Sequence, residues 1–229
     1  MKAYTIGDIH GRFEALKEVL ELCSFNYEED RLIVLGDIVD GGPRTYEVVE
    51  ELLKIKNLVY VIGNHDRWFM NHIDSGWTED IWTQQGGKAT LDSYKEGVPI
   101  THQDFFNRGI YYYIEGNMVF VHGGFNPMIP LVNQKPEYLC WDRELIQYAN
   151  SHKVPYNNVG KQDKINKNKY WDKVFVGHST TLCYGVDKPV KHNNLWMVDT
   201  GAGHCGRLTI MDIDSEEFWQ SEIQPSCHR

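Results

Sequence analysis

One pattern constrains this chain more than any other: a short apolar run stops at a glycine that lies next to a side chain able to bind a metal ion. The first run covers residues 3–6 and leads into Gly7, Asp8 and His10. Such runs are typical of buried strands. Because ligands in open α/β sheets bind beyond the carboxyl ends of the strands, residues that follow different runs are expected to meet in one site.

The pattern occurs five times, with the later runs at residues 32–35, 58–62, 118–121 and 174–176. The side chains at the run ends supply two carboxylates, three imidazoles and one amide: Asp8, His10, Asp37, Asn64, His122 and His178. Oxygen and nitrogen donors without a thiolate suit manganese, iron, zinc or nickel. Six ligands are too many for one open catalytic ion. We therefore predict two divalent ions, with manganese as the first candidate and Asp37 as the bridging carboxylate.

These segments resemble the calcineurin-like metallophosphoesterases, and their order and spacing are most similar to the lambda-type phosphoprotein phosphatases of bacteria and phages. The resemblance is carried by Gly-Asp-Ile-His-Gly at residues 7–11, Gly-Asp-Ile-Val-Asp at 36–40, Gly-Asn-His-Asp at 63–66, His-Gly-Gly at 122–124 and Gly-His at 177–178. It implies an α/β fold, a four-layer α-β-β-α sandwich of two mixed sheets. We expect one domain over residues 1–229.

Phosphoester hydrolysis explains why these residue types are needed. A bound metal ion lowers the pKa of water from about 15.7 to about 7, and a pair of ions clamps the phosphoryl oxygens. Asp8 and His10 are assigned to one ion, Asn64, His122 and His178 to the other, and Asp37 to both, with the attacking hydroxide between the ions. His65 is the predicted proton donor to the leaving group, and Asp40 keeps its imidazolium populated. The resemblance implies the same roles for the matching histidine and aspartate.

The sequence departs from the family at the phosphate clamp. The family run is Gly-Asp-x-x-Asp-Arg-Gly, whereas this chain has Gly41 at the arginine position. Guanidinium groups bind phosphate oxygens in a fork. A Leu-Cys-Trp-Asp-Arg segment ending at Arg143 resembles a second family motif, so Arg143 is the preferred clamp. Arg44 and Arg67 are the alternatives, and Asn64 is a further phosphate contact. Because Gly41 lacks a guanidinium group, diesters or anhydrides become candidate substrates beside phosphomonoesters.

Composition limits the function classes. The net charge of −9 with histidine neutral argues against a general nucleic-acid or membrane-surface binder, because those need a basic face. A phosphorylated partner, either a phosphoprotein or a small phosphoester, is still accommodated because bound cations make a cleft locally positive. Five cysteines without a Cys-x-x-Cys pair, an early acidic residue that disfavours a signal peptide, and no apolar run of spanning length predict a cytoplasmic protein with reduced thiols.

Periodicity predicts the remaining elements. Helices are expected near residues 12–23 and 46–54, and a β-hairpin with its turn at Gly116 and Asn117. Residues 67–108 are expected to form a helical, cap-like insertion or else a satellite hydrophobic cluster. Residues 151–169 are expected to form a polar loop at the rim of the site.

Other interpretations of single residues stay open. Asp40 would also suit a turn cap, and Arg143 a structural ion pair. His204 is expected in a loop near the site rather than as a metal ligand. The remaining histidines are expected to be solvated: His72, His102, His152, His192 and His228.

These observations favour a two-metal phosphoesterase, in the first place a serine/threonine-type protein phosphatase that hydrolyses phosphomonoesters. The alternative, motivated by Gly41, is a nucleotide hydrolase acting on dinucleoside polyphosphates or cyclic phosphodiesters. A non-catalytic, metal-bound interaction module is disfavoured because it would have no use for His65 and Asp40.

Overall fold

The computed structural model describes residues 1–151 and 171–224. These residues form two five-stranded sheets, ordered β10-β9-β1-β2-β3 and β4-β5-β6-β8-β7. The strands are β1 (Ala3–Ile6), β2 (Arg31–Val34), β3 (Asn57–Tyr60), β4 (Tyr112–Glu115), β5 (Met118–Val121), β6 (Lys173–Val176), β7 (Val190–His192), β8 (Leu195–Met197), β9 (Thr209–Asp212) and β10 (Phe218–Gln220). Both sheets are mixed, with parallel strands at their centres.

Helices connect the parallel strands and cover the outer faces of the sheets. They are α1 (Phe13–Leu22), α2 (Thr45–Leu52), α3 (Asn64–Ser75), α4 (Asp80–Trp82), α5 (Lys88–Ser93), α6 (Ile100–Asn107), α7 (Pro136–Trp141) and α8 (Glu144–Ser151). The first three predicted strands and the two predicted helices between them are present, in the order β1-α1-β2-α2-β3. Among residues 1–151 and 171–224, no helix combines the length and the apolar character needed to cross a membrane.

Strand side chains alternate between two environments, which explains why the runs are apolar throughout. Leu32 of β2 packs in the helix-covered core of the first sheet, whereas Ile33 packs in the layer that also holds Phe120 and Phe175 of the second sheet. Successive strand residues point to opposite faces. The rings of Phe120 and Phe175 stack at 4.9 Å between their centroids. The predicted four-layer arrangement of two mixed sheets is confirmed.

Large side chains of the segment at residues 67–108 belong to the core of the first sheet. Phe69, Trp82 and Phe106 are fully buried there. The same segment holds His102, whose expected exposure is wrong. His102 is fully buried, with its Nδ1 2.8 Å from the hydroxyl of Tyr94 and its Nε2 2.7 Å from Glu50. Glu50 lies 52 positions from His102 and Tyr94 lies eight positions away, so the residues next to His102 in sequence do not reveal its surroundings.

The structure also contains the predicted hairpin and two of the histidines that were expected to be solvated. The hairpin is confirmed, since β4 pairs with β5 around the predicted turn. His72 and His192 are partly buried rather than solvated, and Nδ1 of His72 lies 3.0 Å from the carbonyl oxygen of Trp77. His152, His228 and the predicted rim loop lie outside the described residues, except that Ser151 ends α8.

Candidate metal centre

The candidate site lies where loops from both sheets meet. Asp8 follows β1 of the first sheet, and His178 follows β6 of the second. The backbone N–H of His178 donates to both carboxylate oxygens of Asp8 at 3.1 Å. A Cβ on Gly177 would overlap the same carboxylate, so only glycine allows this close approach. The contact joins two loops separated by 170 positions.

Two groups of side chains could each hold a metal ion, and they share Asp37. Asp8, His10 and Asp37 form the first group, and Asp37, His122 and His178 the second; within each group the ligand atoms lie within 4.8 Å of one another. Asn64 joins the second group, because its Oδ1 lies 2.9 Å from Nε2 of His122. All six side chains singled out at the strand ends are thus brought together.

Backbone carbonyls orient two of the imidazoles. Nδ1 of His10 lies 3.0 Å from the carbonyl oxygen of Val39, and Nδ1 of His122 lies 2.6 Å from that of Leu35. A ring that donates from Nδ1 to a carbonyl presents an unprotonated Nε2, which is the arrangement found for metal-bound histidine. In both residues Nε2 is therefore the ring nitrogen directed at Asp37, 3.8 Å from its Oδ2 in His10 and 3.3 Å in His122, and it is the nitrogen that would bind a cation.

The local backbone is strained at the same residues. His10, Asp37, Asp40 and His178 all have left-handed φ angles, of 49°, 46°, 70° and 58°. Residues other than glycine seldom adopt this backbone conformation, and those that do cluster at functional sites. His10, Asp37 and His178, which have these backbone conformations, come from separate loops and belong to the two ligand groups.

The electrostatics of the buried site fit a bound cation. Burial, with the charges of Asp199 and Asp37, raises the pKa of Asp8. Burial lowers the pKa of His10 and of His178 to about 3, so both rings are neutral and able to bind metal. The raised pKa of Asp8 reflects repulsion among crowded, buried carboxylates, which a bound divalent cation would relieve.

His65 and Asp40 form a hydrogen-bonded pair beside the two groups. Nδ1 of His65 lies 2.7 Å from Oδ2 of Asp40. Burial opposes the imidazolium form of His65, but the charge of Asp37 and the bond to Asp40 raise its pKa to about 9. Burial raises the pKa of Asp40, although its hydrogen bonds act in the opposite direction. The pair holds a proton at the edge of the pocket.

The three candidate phosphate-clamping arginines have different surroundings. Arg143 lines the pocket, and its Nε donates to Nε2 of His178 at 3.1 Å. Arg67 instead bonds to Glu137 at 2.7 Å. Arg44 pairs with glutamates on α1 and α2, and its guanidinium lies 4.3 Å from the ring centroid of Phe13. The structure brings Arg143 to the pocket but neither Arg44 nor Arg67, because acidic neighbours hold those two elsewhere.

Residues without a predicted role also line the pocket: Gln85, Trp141, Asp199, Gly203 and His204. Asp199 is the most informative of them. It is 5% exposed, accepts the N–H of Gly201 at 2.9 Å, and has a pKa raised to about 6, chiefly by burial. It lies just beyond the end of β8, so the strand-end pattern could have found it. His204 lies at the rim, as expected, and outside both ligand groups.

The fold and the paired ligand groups define a class of metal-dependent phosphoesterases, and comparison with known proteins agrees. The sequence model of the calcineurin-like phosphoesterases matches residues 1–194, and the chain belongs to that family.

Relatives within the family include nucleotide hydrolases. The chain is 40% identical to the symmetrical bis(5'-nucleosyl)-tetraphosphatase of Pseudomonas fluorescens SBW25, over 98% of the chain and 95% of that protein. Its 40% match to the equivalent Coxiella burnetii proteins spans only 23% of their length.

Solved structures share the fold. One, provisionally assigned as a diadenosine tetraphosphatase, gives a TM-score of 0.68 at 18% identity, covering 96% of this chain and 92% of the other. A Saccharomyces cerevisiae protein serine/threonine phosphatase gives 0.57 at 16% identity, covering 100% and 81%.

Proposed function

We propose that this chain is a divalent-metal-dependent hydrolase that cleaves a phosphoanhydride bond in dinucleoside polyphosphates. The observation that carries the hydrolase assignment is the pair of ligand groups sharing Asp37. The name of the full-length relative from Pseudomonas fluorescens supports the choice of substrate. Serine/threonine phosphatase activity, the first expectation from sequence, becomes the second candidate.

The donor set fits two divalent cations. Bound there, the ions would lower the pKa of a water molecule and neutralise phosphoryl oxygens. The residues proposed to hold them are Asp8, His10 and Asp37 for one ion, and Asp37, Asn64, His122 and His178 for the other. Manganese is the first candidate, since the set contains oxygen and nitrogen donors and no sulfur.

This chain supplies the proton and the phosphate contact. When water attacks phosphorus and the bridging P–O bond breaks, the leaving oxygen gains a proton. His65 is the proposed donor, because its ring lines the pocket and Asp40 holds it at 2.7 Å. The guanidinium of Arg143 is the proposed contact to non-bridging phosphate oxygens. Asn64, which also lines the pocket, is a second contact.

One observation favours the second candidate, a protein phosphatase. The hydrogen-bonded His65–Asp40 pair suits a poor leaving group such as a serine alkoxide, which needs a proton more than a nucleoside diphosphate does. Gly41 favours the first candidate, the dinucleoside polyphosphate hydrolase, because the position lacks the phosphate-clamping arginine of the family.

A substrate panel separates the two candidates. Diadenosine tetraphosphate, a phosphoserine peptide and a cyclic nucleotide are each assayed with the manganese-loaded protein. We expect the highest kcat/KM for diadenosine tetraphosphate, with ADP as the product of symmetrical cleavage. A tenfold preference for the phosphopeptide would establish the second candidate instead. Absence of all three activities in a protein that holds two equivalents of metal would overturn both.

The phosphate contact has a matched control. Arg143→Lys keeps the charge but loses the fork, so we expect kcat/KM to fall by at least tenfold. Arg67→Lys changes an arginine that is paired with Glu137, and we expect less than a twofold effect. Equal losses in the two variants would remove the role of Arg143.

We place the chain in the cytoplasm. The four cysteines among the described residues are free: Cys23, Cys140, Cys183 and Cys205. Free thiols are typical of reducing compartments.

A further inference from the structure

Two tryptophans form an aromatic wall at the pocket, which Trp141 lines and Trp68 supports from behind. Trp68 lies on α3 and Trp141 ends α7. Their ring centroids are 5.3 Å apart at an interplanar angle of 65°. Trp68 contacts the ring of His65 edge-on at 5.0 Å, and Trp141 contacts His178 edge-on at 5.7 Å. The wall therefore runs from the proposed proton donor to a proposed metal ligand.

The ring of Trp141 is partly open to solvent. Its side chain lines the pocket, yet 44% of its surface remains exposed. A ligand that covered this exposed ring surface would gain free energy from its burial. The indole presents apolar, π-rich surface beside a strongly polar pocket.

The neighbouring charge indicates which ligand fits this surface. Arg143 lies two positions after Trp141 and lines the same pocket. A guanidinium beside an open indole matches a molecule that carries phosphates next to a flat aromatic group. Nucleobases stack on aromatic side chains irrespective of sequence, since every base has a π-face. A phosphoserine peptide offers no such group at its phosphate.

We propose that Trp141, backed by Trp68, is the surface on which a nucleobase of the substrate stacks while Arg143 contacts its phosphates. This proposal rests on the proposed function and deepens it. It makes Trp141 the residue by which the site prefers nucleotides to phosphoanhydrides that lack a base.

The test compares two anhydrides that differ in the base. Diadenosine tetraphosphate and inorganic tripolyphosphate are assayed with manganese-loaded wild type, Trp141→Leu and Trp141→Phe. The quantity measured is the ratio of kcat/KM for the first substrate to that for the second. We expect Trp141→Leu to lower this ratio by about tenfold or more, the size of one lost base stack, mainly through KM. Trp141→Phe, which keeps an aromatic face, should restore most of the ratio.

Tyr184→Leu is the matched control, because Tyr184 is 41% exposed and is not among the described residues that line the pocket. It should leave the ratio unchanged. Equal losses on both substrates in Trp141→Leu, or no loss on either, would overturn the stacking role while leaving the proposed function in place. A wild-type protein that does not cleave diadenosine tetraphosphate would overturn both. Melting temperature and metal content of each variant show that the comparison concerns folded, loaded protein.

Discussion

The indole Nε1 of Trp82 donates a 2.9 Å hydrogen bond to Oδ2 of Asp40, the same oxygen that faces His65. The hydroxyl of Thr90 lies 2.7 Å from the other carboxylate oxygen. Asp40 is fully buried, so these contacts fix its carboxylate and, through it, the ring of His65. Trp82, which belongs to the segment at residues 67–108, thus helps to position the proposed proton donor.

Replacing the proton donor should slow turnover without releasing metal. We expect His65→Ala to lower kcat by about 10²–10⁴-fold, the usual contribution of a general acid, because the leaving group would have to take its proton from water. His192→Ala, which changes a partly buried histidine of β7 that does not line the pocket, is the control and should retain wild-type kcat. Steady-state kinetics and metal analysis on the same preparations measure both quantities. Wild-type turnover by His65→Ala would contradict the assignment.

A glycine at the site should tolerate no side chain. Gly36 has a φ of +98°, and a Cβ there would lie 2.6 Å from the backbone nitrogen of Gly63 and 2.7 Å from Nδ1 of His122. Gly97 has a similar φ of +96°, but a Cβ added there would meet no atom of the described residues within 4 Å. Backbone strain of about 1–3 kcal/mol applies to alanine at either position, whereas overlap applies only at Gly36.

We therefore expect Gly36→Ala to lose about 1–3 kcal/mol more of its free energy of unfolding than Gly97→Ala, together with bound metal. Urea denaturation and metal analysis provide the comparison. If the two alanine variants were equally stable and equally loaded, the close packing around Gly36 would be disproved.

Acid should weaken one buried ion-pair network. Glu51 is 2% exposed and lies within hydrogen-bond distance of Lys54 at 2.6 Å, Tyr27 at 2.6 Å and Lys17 at 3.2 Å. Burial alone would raise its pKa, but the hydrogen bonds from these three partners outweigh burial and lower it. A carboxyl whose pKa is lower in the folded state stabilises the fold above its unfolded pKa of about 4.3. This contribution is lost as pH falls from there through the folded pKa.

We expect Glu51→Gln to lower the free energy of unfolding by about 1–3 kcal/mol at pH 7. The difference from wild type should shrink below about pH 4. There the Glu51 carboxyl of the unfolded chain begins to protonate, whereas that of the folded protein protonates at still lower pH. Glu47→Gln, which removes an exposed partner of Arg44, should cost about 0–1 kcal/mol. Denaturant melts at pH 3.5, 5 and 7 test this. A Glu51→Gln difference independent of pH would count against the network.

Thiol labelling should divide the described cysteines into two pairs. Burial raises the pKa of Cys23 to about 11 and that of Cys140 to about 12, whereas Cys183 and Cys205 are exposed. Because the thiolate is the reactive form, iodoacetamide at pH 7.5 should modify the exposed pair in the native protein and the buried pair only after unfolding. Peptide mapping by mass spectrometry distinguishes the four. Rapid labelling of Cys140 in native protein would show that its surroundings are open.

The sequence predicts features that depend on neighbours in the chain. The runs before Asp8 and Asp37 stop at glycines, and a parallel sheet necessarily gathers the residues beyond its strand ends. Asp199 follows β8 in the same way, but Asp-Thr-Gly is also typical of an ordinary turn, so the sequence allows two interpretations of this residue. The contact of His102 with Glu50, 52 positions away, is likewise not visible in the local sequence.

The surroundings of the arginines likewise depend on residues that the local sequence does not reveal. Arg44 and Arg67 lie near the site motifs in sequence, but Glu14, Glu47 and Glu137 hold their guanidinium groups away from the pocket. Sequence distance does not report which acidic side chain an arginine will reach. Arg143 could be predicted because a motif, rather than proximity, pointed to it.

We propose that two cations share the carboxylate of Asp37. Anomalous diffraction from crystals grown with manganese measures this directly. We predict two anomalous peaks, one beside Asp8 and His10 and the other beside His122 and His178, with Asp37 adjacent to both. A single peak, or peaks that lie away from Asp37, would contradict the claim.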